Sequence, residues 1–251
     1  NVKFYYLKNC KQFLEEEGMD PYKKIEAFKN KVVKCFGERV QCILLTGSYA
    51  RGEEREKSDI DMWVFLDKVE YEDLNSISKI LLELPLEPKL NPQCTSFDES
   101  LIPFFIREYS PIQYSTDGKI LYGSLKIPYP KKEEFLENSK RLIVYVLMGV
   151  RHFICTNESN ETLFKKKLWK RILKPFMWAL RYRCAAQEGI YPLKLEELRK
   201  HCSEDEISMI NIYEDFLEEE KEKYRGRSKE ILNSIYILCE KLLYVDDTEK
   251  L

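Results

Sequence analysis

Residues 43–67 read ILLTGSYARGEEREKSDIDMWVFLD, and this stretch decides the fold. The apolar run from Ile43 to Thr46 reads as a buried strand. Gly47 and Ser48 make a turn, a short helix follows, and a second strand opens with Asp59-Ile60-Asp61. Glycine lets the backbone turn sharply and come close to a ligand. Ser48 can cap the helix that follows, and the free N–H groups at a helix start attract phosphate. Residues two apart in a strand share a face. Asp59 and Asp61 therefore point one way together, while Ile60 and Met62 point to the core. Two carboxylates on one face repel each other unless a cation or proton lies between them. A hard dication with oxygen ligands, Mg²⁺ or else Mn²⁺, suits such a pair. A phosphate-holding turn beside a metal-holding pair is the equipment of phosphoryl or nucleotidyl transfer.

Outward from this stretch the periodicities supply the remaining elements. Helices are predicted over 2–17 and 20–36, the second started by Asp20-Pro21 and ended by Gly37. Ile25, Phe28, Val32, Val33 and Phe36 recur at helical spacing. Strands cover 40–46 and 59–66, and a helix covers 71–83 with Leu74, Ile77, Ile80 and Leu81 on one side. A proline-rich stretch leads to a third strand over 89–97, where Pro92 argues for an edge or a bulge. A short helix over 98–108, a turn at Asp117-Gly118 and a strand over 119–122 complete this half. After Pro128-Tyr129-Pro130 the character changes. Long helices are predicted over 131–155, 161–188, 203–224 and 228–245, with short breaks between them. The expected fold is α+β: a mixed sheet with helices over 1–128, then an all-α helical bundle over 129–251.

Composition narrows the function classes. The 251 residues carry a formal net charge of −2, so bulk charge does not make the chain a polyanion binder. The eight cysteines are scattered without metal-ligand spacing, and Cys42, Cys155 and Cys239 sit among apolar neighbours as buried thiols would. His201 and Cys202 are adjacent, which by itself is not a metal site. Residues 1–18 show no apolar signal core, and the longest apolar run, Leu142 to Cys155, is interrupted by Arg151 and His152. The expectation is a cytoplasmic protein with no membrane partner.

The spacing of the motif carries a resemblance. Ten residues, Tyr49 to Ser58, separate Gly47-Ser48 from Asp59-Ile60-Asp61. Gly-Ser, about ten residues and Asp-x-Asp is the mark of the nucleotidyltransferase superfamily, which includes DNA polymerase beta, the CCA-adding enzymes and the aminoglycoside nucleotidyltransferases. GSYARG followed by SDID looks most like its small prokaryotic branch, the minimal nucleotidyltransferases often partnered with a helical HEPN module. DGKILYG looks like the end of a catalytic domain in this family. The resemblance implies Mg²⁺-dependent transfer of a nucleoside monophosphate, AMP from ATP or the equivalent from another NTP. The acceptor, a small molecule, a protein or an RNA, is not readable, and a homodimer is among the assemblies it allows. Asp59 and Asp61 would be catalytic and metal-binding; Gly47, Ser48, Arg51 and Ser58 would hold the nucleotide.

The family's third carboxylate is not evident. If SFDES ends the third strand, its position falls at Asn91; Glu87 substitutes if that strand begins earlier. The gap leaves two alternatives open: a nucleotide-binding or antitoxin-like module with weak or lost catalysis, and RNA-directed nucleotide addition. Arg51 and Arg55 can reach a phosphate or pair with nearby glutamates, and Ser58 is read as orienting Asp59. Residues 164–183 carry eight basic residues and no acidic one, interleaved with Trp169, Phe176, Trp178 and Tyr182. That pattern fits either a single-strand stacking platform or a helix with a core face and a basic face. Pro175 should kink or split this helix. Neither Arg151-His152 nor Arg199 with His201 has the HEPN ribonuclease spacing, so the bundle reads as HEPN-like or substrate-binding rather than as a nuclease.

Overall fold

A computed structural model describes residues 19–56, 58–101, 112–125, 129–218 and 220–244. The helix expected over 2–17 and the end of the one over 98–108 lie outside these residues. The chain divides into two compact units, Asn1–Tyr129 and Pro130–Leu251.

The first unit is built on a four-stranded mixed sheet of order β3-β2-β1-β4. Its strands are β1 (Val40–Thr46), β2 (Ile60–Leu66), β3 (Leu90–Ser96) and β4 (Lys119–Gly123). β1 runs antiparallel to β2 and β4, and β2 runs parallel to β3. β3 is an edge strand, which accommodates Pro92 and its missing N–H. The Pro21–Phe36 helix starts as predicted: Asp20 accepts a hydrogen bond from the Lys23 N–H, and Gly37, at φ 57°, ends it. Its Ile25, Phe28, Val32 and Phe36 pack on one face of the sheet with Ile43, Leu45, Ile60, Met62, Val64 and Leu66. Cys42, Leu44, Phe65 and Tyr114 form a smaller core on the other face, with Trp63 against it.

The Tyr71–Leu82 helix buries Ile77 and Ile80 and packs Leu81 against the core as expected, but not Leu74. Leu74 is 45% exposed, and Asp73, Ile77 and Ile80 face inward. Asp73 earns no penalty for its burial because the Arg39 guanidinium grips both its oxygens at 2.8 Å. That contact holds the Asp73 carboxyl below the usual carboxylate range. A five-residue helix, Ile112–Thr116, was hidden by its brevity; it supplies Tyr114 to the smaller core.

The second unit is helical among the described residues. Its long helices are Lys132–Cys155, Lys174–Glu188, Glu204–Leu217 and Ser228–Tyr244. The helix expected over 161–188 begins as one α turn, Asn160–Thr162, winds as a π-helix over Leu163–Leu173, and becomes α again at Lys174. Pro175 gives the cause: it offers no N–H, and its ring crowds the carbonyl four residues back. The chain responds with the wider turn, in which the Lys174 N–H reaches back to the Trp169 carbonyl. The helix expected over 203–224 stops at Leu217, and a 3₁₀ turn covers Glu220–Tyr224. Repeated glutamates at a helix C-terminus oppose its negative dipole end. Leu195–Arg199, another five-residue helix, gave no periodicity to detect. Cys155 is exposed, against expectation, while Cys42 and Cys239 are buried. No helix among the described residues is long and apolar enough to cross a membrane.

Glu206 ties this unit together. Its side chain is 4% exposed, meets Arg183 Nη1 at 2.5 Å and accepts from the Ser203 N–H at 2.8 Å. Burial alone would raise its pKa, but Arg183 and Ser203 outweigh burial and hold it below the usual value. A carboxylate depressed in the folded state stabilises the fold above its unfolded pKa and loses that contribution as pH falls through the folded value. Unfolding free energy should therefore fall as pH drops below about 4.3. In Glu206→Gln the fall should be shallower, as read by urea unfolding across that range.

Candidate active site

The Gly-Ser turn and the aspartate strand meet at one end of the sheet. The short helix is Gly47–Arg51, and Thr46, at φ −131° and ψ −176°, is its N-cap residue. Ser48 is thus not the cap; it lies in the first turn, where backbone N–H groups have no partner within the helix. β1 and β2 pair Thr46 with Asp61, which sets the turn directly beside that carboxylate. Gly47 sits at φ +73°, and a Cβ there would lie 2.6 Å from Asp61 Oδ2. Glycine is required at this position both for its backbone conformation and for the close approach of the acid.

Asp59 and Asp61 fall on the sheet face opposite the buried Ile60 and Met62, as read from the sequence. Asp59 is half exposed, with Lys89 Nζ 3.9 Å from its Oδ2. Asp61 accepts a hydrogen bond of 3.0 Å from Asn91 Nδ2. The parallel register pairs Asp61 with Asn91, so Asn91 is the β3 residue that faces the pair. β3 begins at Leu90, so Glu87 is not on the strand. Glu87 is exposed and lines an open cavity of about 690 Å³ with Tyr22, Tyr49 and Glu54.

Two other expected nucleotide contacts are engaged within the protein. Arg51 has a side chain only 7% exposed; its Nη1 meets Asp117 Oδ2 and its Nε meets Glu53 Oε2, each at 2.8 Å. Burial would depress its pKa, but Asp117 and Glu53 overcome this and hold it well above the usual value. The guanidinium thereby fastens the Gly47–Arg51 helix to the Asp117-Gly118 turn. The Ser58 hydroxyl accepts from the Arg55 N–H at 2.9 Å, and the Ser58 N–H donates to the Arg55 carbonyl at 2.9 Å. Ser58 therefore closes the turn that leads into Asp59 and β2.

Lys89 and Asp117 were missed in the sequence. The signal for Lys89 was available: it precedes β3 by one residue as Asp59 precedes β2, and parallel pairing sets the two side by side. Asp117 carried no such signal, since Asp-Gly reads simply as a turn.

The donor set suits a hard divalent cation. The two carboxylates offer oxygen ligands, the preference of Mg²⁺ and Mn²⁺, while Asn91 turns its N–H toward Asp61. Lys89 and the Asn91 amide temper the repulsion between the two acids, roles a cation would take over.

The basic run of the second unit is engaged in part within the protein. Leu168, Ile172, Phe176, Leu180 and Tyr182 are core residues, and Trp169 stacks on Tyr213 with ring centroids 4.5 Å apart. Lys165 pairs with Glu161, Lys167 with Glu158, and Arg183 with Glu206. Of the two readings, the helix with a core face and a charged face is the one seen, and the aromatics meant for base stacking are largely packed inside.

Residues 23–112 match the sequence profile of the family described as "Nucleotidyltransferase domain". Among solved structures, the chain is similar to spectinomycin adenyltransferase AAD(9) from Enterococcus faecialis with ATP and spectinomycin. That similarity has 13% identity and a TM-score of 0.48, covering 89% of this chain and 99% of the other. A toxin-antitoxin structure with AMP-PNP is similar at 23% identity and a TM-score of 0.29, covering 40% of this chain and 75% of the other. No curated protein matches.

Proposed function

With residues 23–112 forming a nucleotidyltransferase domain, a transferase of phosphorus-containing groups, we propose that the protein moves a nucleoside monophosphate, AMP from ATP, to a hydroxyl or phosphate acceptor. The observation that carries this reading is the approach of the Gly47 turn to the Asp61 carboxylate, 2.6 Å from where a Cβ would stand. A triphosphate held by the turn would have its reacting phosphorus beside the acids. Backbone N–H groups of Gly47 and Ser48 would hold the triphosphate, and the Arg51–Asp117 pair keeps that turn fixed. Asp59 and Asp61 would hold Mg²⁺, with the Asn91 N–H fixing the Asp61 carboxylate at 3.0 Å. When bound, the ion supplies neutralisation of the phosphate charge. The α-phosphorus gains a bond to the acceptor oxygen and loses its bond to the bridging oxygen, releasing pyrophosphate. The seven described cysteines are all free, which suits a reducing compartment, the cytoplasm.

Asn91 favours a second reading. It stands where a third acid would face the pair, so the protein would bind nucleotide with weak or lost turnover. One assay separates the two: α-labelled ATP with cell extract, with and without EDTA. Label on an acceptor with matching pyrophosphate, both abolished by EDTA, is the expected result. ATP retained by the protein with no pyrophosphate would establish the second reading and overturn the first.

A further inference from the structure

The second unit brings together three side chains that the sequence keeps apart. Cys184 and Glu188 are four residues apart on the Lys174–Glu188 helix and so share a face. His201 lies beyond the short Leu195–Arg199 helix. The Cys184 thiol, a Glu188 carboxylate oxygen and a ring nitrogen of His201 all lie within 4.8 Å of one another. His201 Nδ1 is 2.5 Å from Glu188 Oε2. The group has a depth and a mouth: Cys184 is 3% exposed, while the Glu188 and His201 side chains are 42% and 20% exposed. Among the described residues no other group of His, Cys and acidic side chains is assembled this way.

We propose that Cys184, Glu188 and His201 bind a borderline-soft divalent metal of the zinc class, with water in the fourth position. The donors select the ion. One sulfur, one nitrogen and one carboxylate oxygen match zinc, whereas magnesium and calcium take oxygen ligands. Metal–ligand bonds of about 2.0–2.3 Å place tetrahedral ligands roughly 3.3–3.7 Å apart. The three donors already lie within 4.8 Å of one another, and His201 Nδ1 and Glu188 Oε2, now 2.5 Å apart at the exposed rim, must part by about an ångström to reach that geometry. Charge also balances: a thiolate, a carboxylate and a neutral imidazole around a dication sum to zero, which suits a half-buried site. The Arg183 charge beside it is already matched by Glu206.

Binding exchanges bonds in a defined way. The Cys184 thiol releases its proton to solvent as the sulfur–metal bond forms, and the His201–Glu188 contact gives way to two metal bonds. Burial, with Glu188 adding to it, pushes the free thiol up to about 11. Affinity should rise with pH, as for any site in which a metal displaces a thiol proton. The bound ion would clip the end of one helix to His201 across the intervening loop. These three residues belong to the second unit, and metal binding by them does not depend on transfer activity.

Co²⁺ titrated into the reduced, chelator-treated full chain tests this directly. The expected result is a thiolate-to-cobalt charge-transfer band with visible d–d bands of tetrahedral type, both bleached by Zn²⁺. Cys184→Ser should remove the charge-transfer band, and His201→Ala should weaken Co²⁺ binding on the order of tenfold to a hundredfold. Cys202→Ser should retain the band. Because Cys184 is buried, Glu188→Gln at the rim serves as a second variant, with circular dichroism to verify its fold; it too should weaken binding. Absence of a thiolate band in the unmodified chain, or an undiminished band in Cys184→Ser, overturns the proposal.

Discussion

Asp61→Asn will lower nucleotidyl transfer by about three orders of magnitude while leaving the fold intact. A catalytic cation contributes several kcal/mol of charge stabilisation in the transition state, and each 1.36 kcal/mol is tenfold in rate. Asn at position 61 keeps the shape of the side chain, and its carbonyl can still accept from Asn91 Nδ2, which Asp61 meets at 3.0 Å. What is lost is one of the two negative charges that would hold the ion, and the β3 position facing the pair is Asn91, which brings no charge. Asp59→Asn should act in the same direction. Its position is half exposed, 3.9 Å from Lys89, so its stability cost should be within about 0.5 kcal/mol. The check is α-label transfer and pyrophosphate release by each single variant and the double variant, alongside thermal unfolding. A double variant that still moves label at the parental rate sinks the mechanism. A double variant that fails to fold would show that the two acids are structural.

The motif was legible because its physics is local. A strand, a glycine turn and alternate aspartates fix one another within 25 residues, and the Thr46–Asp61 pairing follows from that alone. The β3 register was nearly legible: aligning SFDES as the strand end predicted Asn91 as the partner position, and the structure pairs Asp61 with Asn91. What escaped was nonlocal compensation. Asp73 replaces Leu74 in the buried stripe only because Arg39, 34 residues earlier, neutralises it. Arg51 reads as a phosphate ligand because its partner Asp117 is 66 residues away. Cys184, Glu188 and His201 come together through a loop and a short helix without periodicity. Hydrophobic patterning reports which face is buried; it does not report which charges have found each other.

Arg51 therefore sets the sharpest contest between the two readings. If its guanidinium served chiefly to grip phosphate, Arg51→Ala would raise the KM for the triphosphate and leave stability nearly unchanged. The structure predicts a different outcome: a loss of about 3–5 kcal/mol, the cost of leaving one member of a buried ion pair uncompensated. Asp117 has a side chain only 1% exposed and would lose the guanidinium that meets it at 2.8 Å, so it must either hold a buried charge at a cost or take up a proton. Set against a typical total stability of about 5–15 kcal/mol, such a loss would be plain in urea unfolding. Exchanging both partners separates charge from packing. Arg51→Met combined with Asp117→Leu removes the more buried of the two carboxylates that Arg51 holds, leaving Glu53 at 20% exposure, and should recover part of the loss, because well-packed apolar replacements of buried ion pairs are often neutral or better. The recovered double variant should still transfer nucleotide poorly. Apolar contacts are nondirectional, whereas the two hydrogen bonds of Arg51 fix how the Gly47–Arg51 helix sits over Asp61. A displacement of about 1 Å at a reacting centre costs on the order of a hundredfold. Stability partly restored with transfer still impaired would mark Arg51 as the residue that positions the turn.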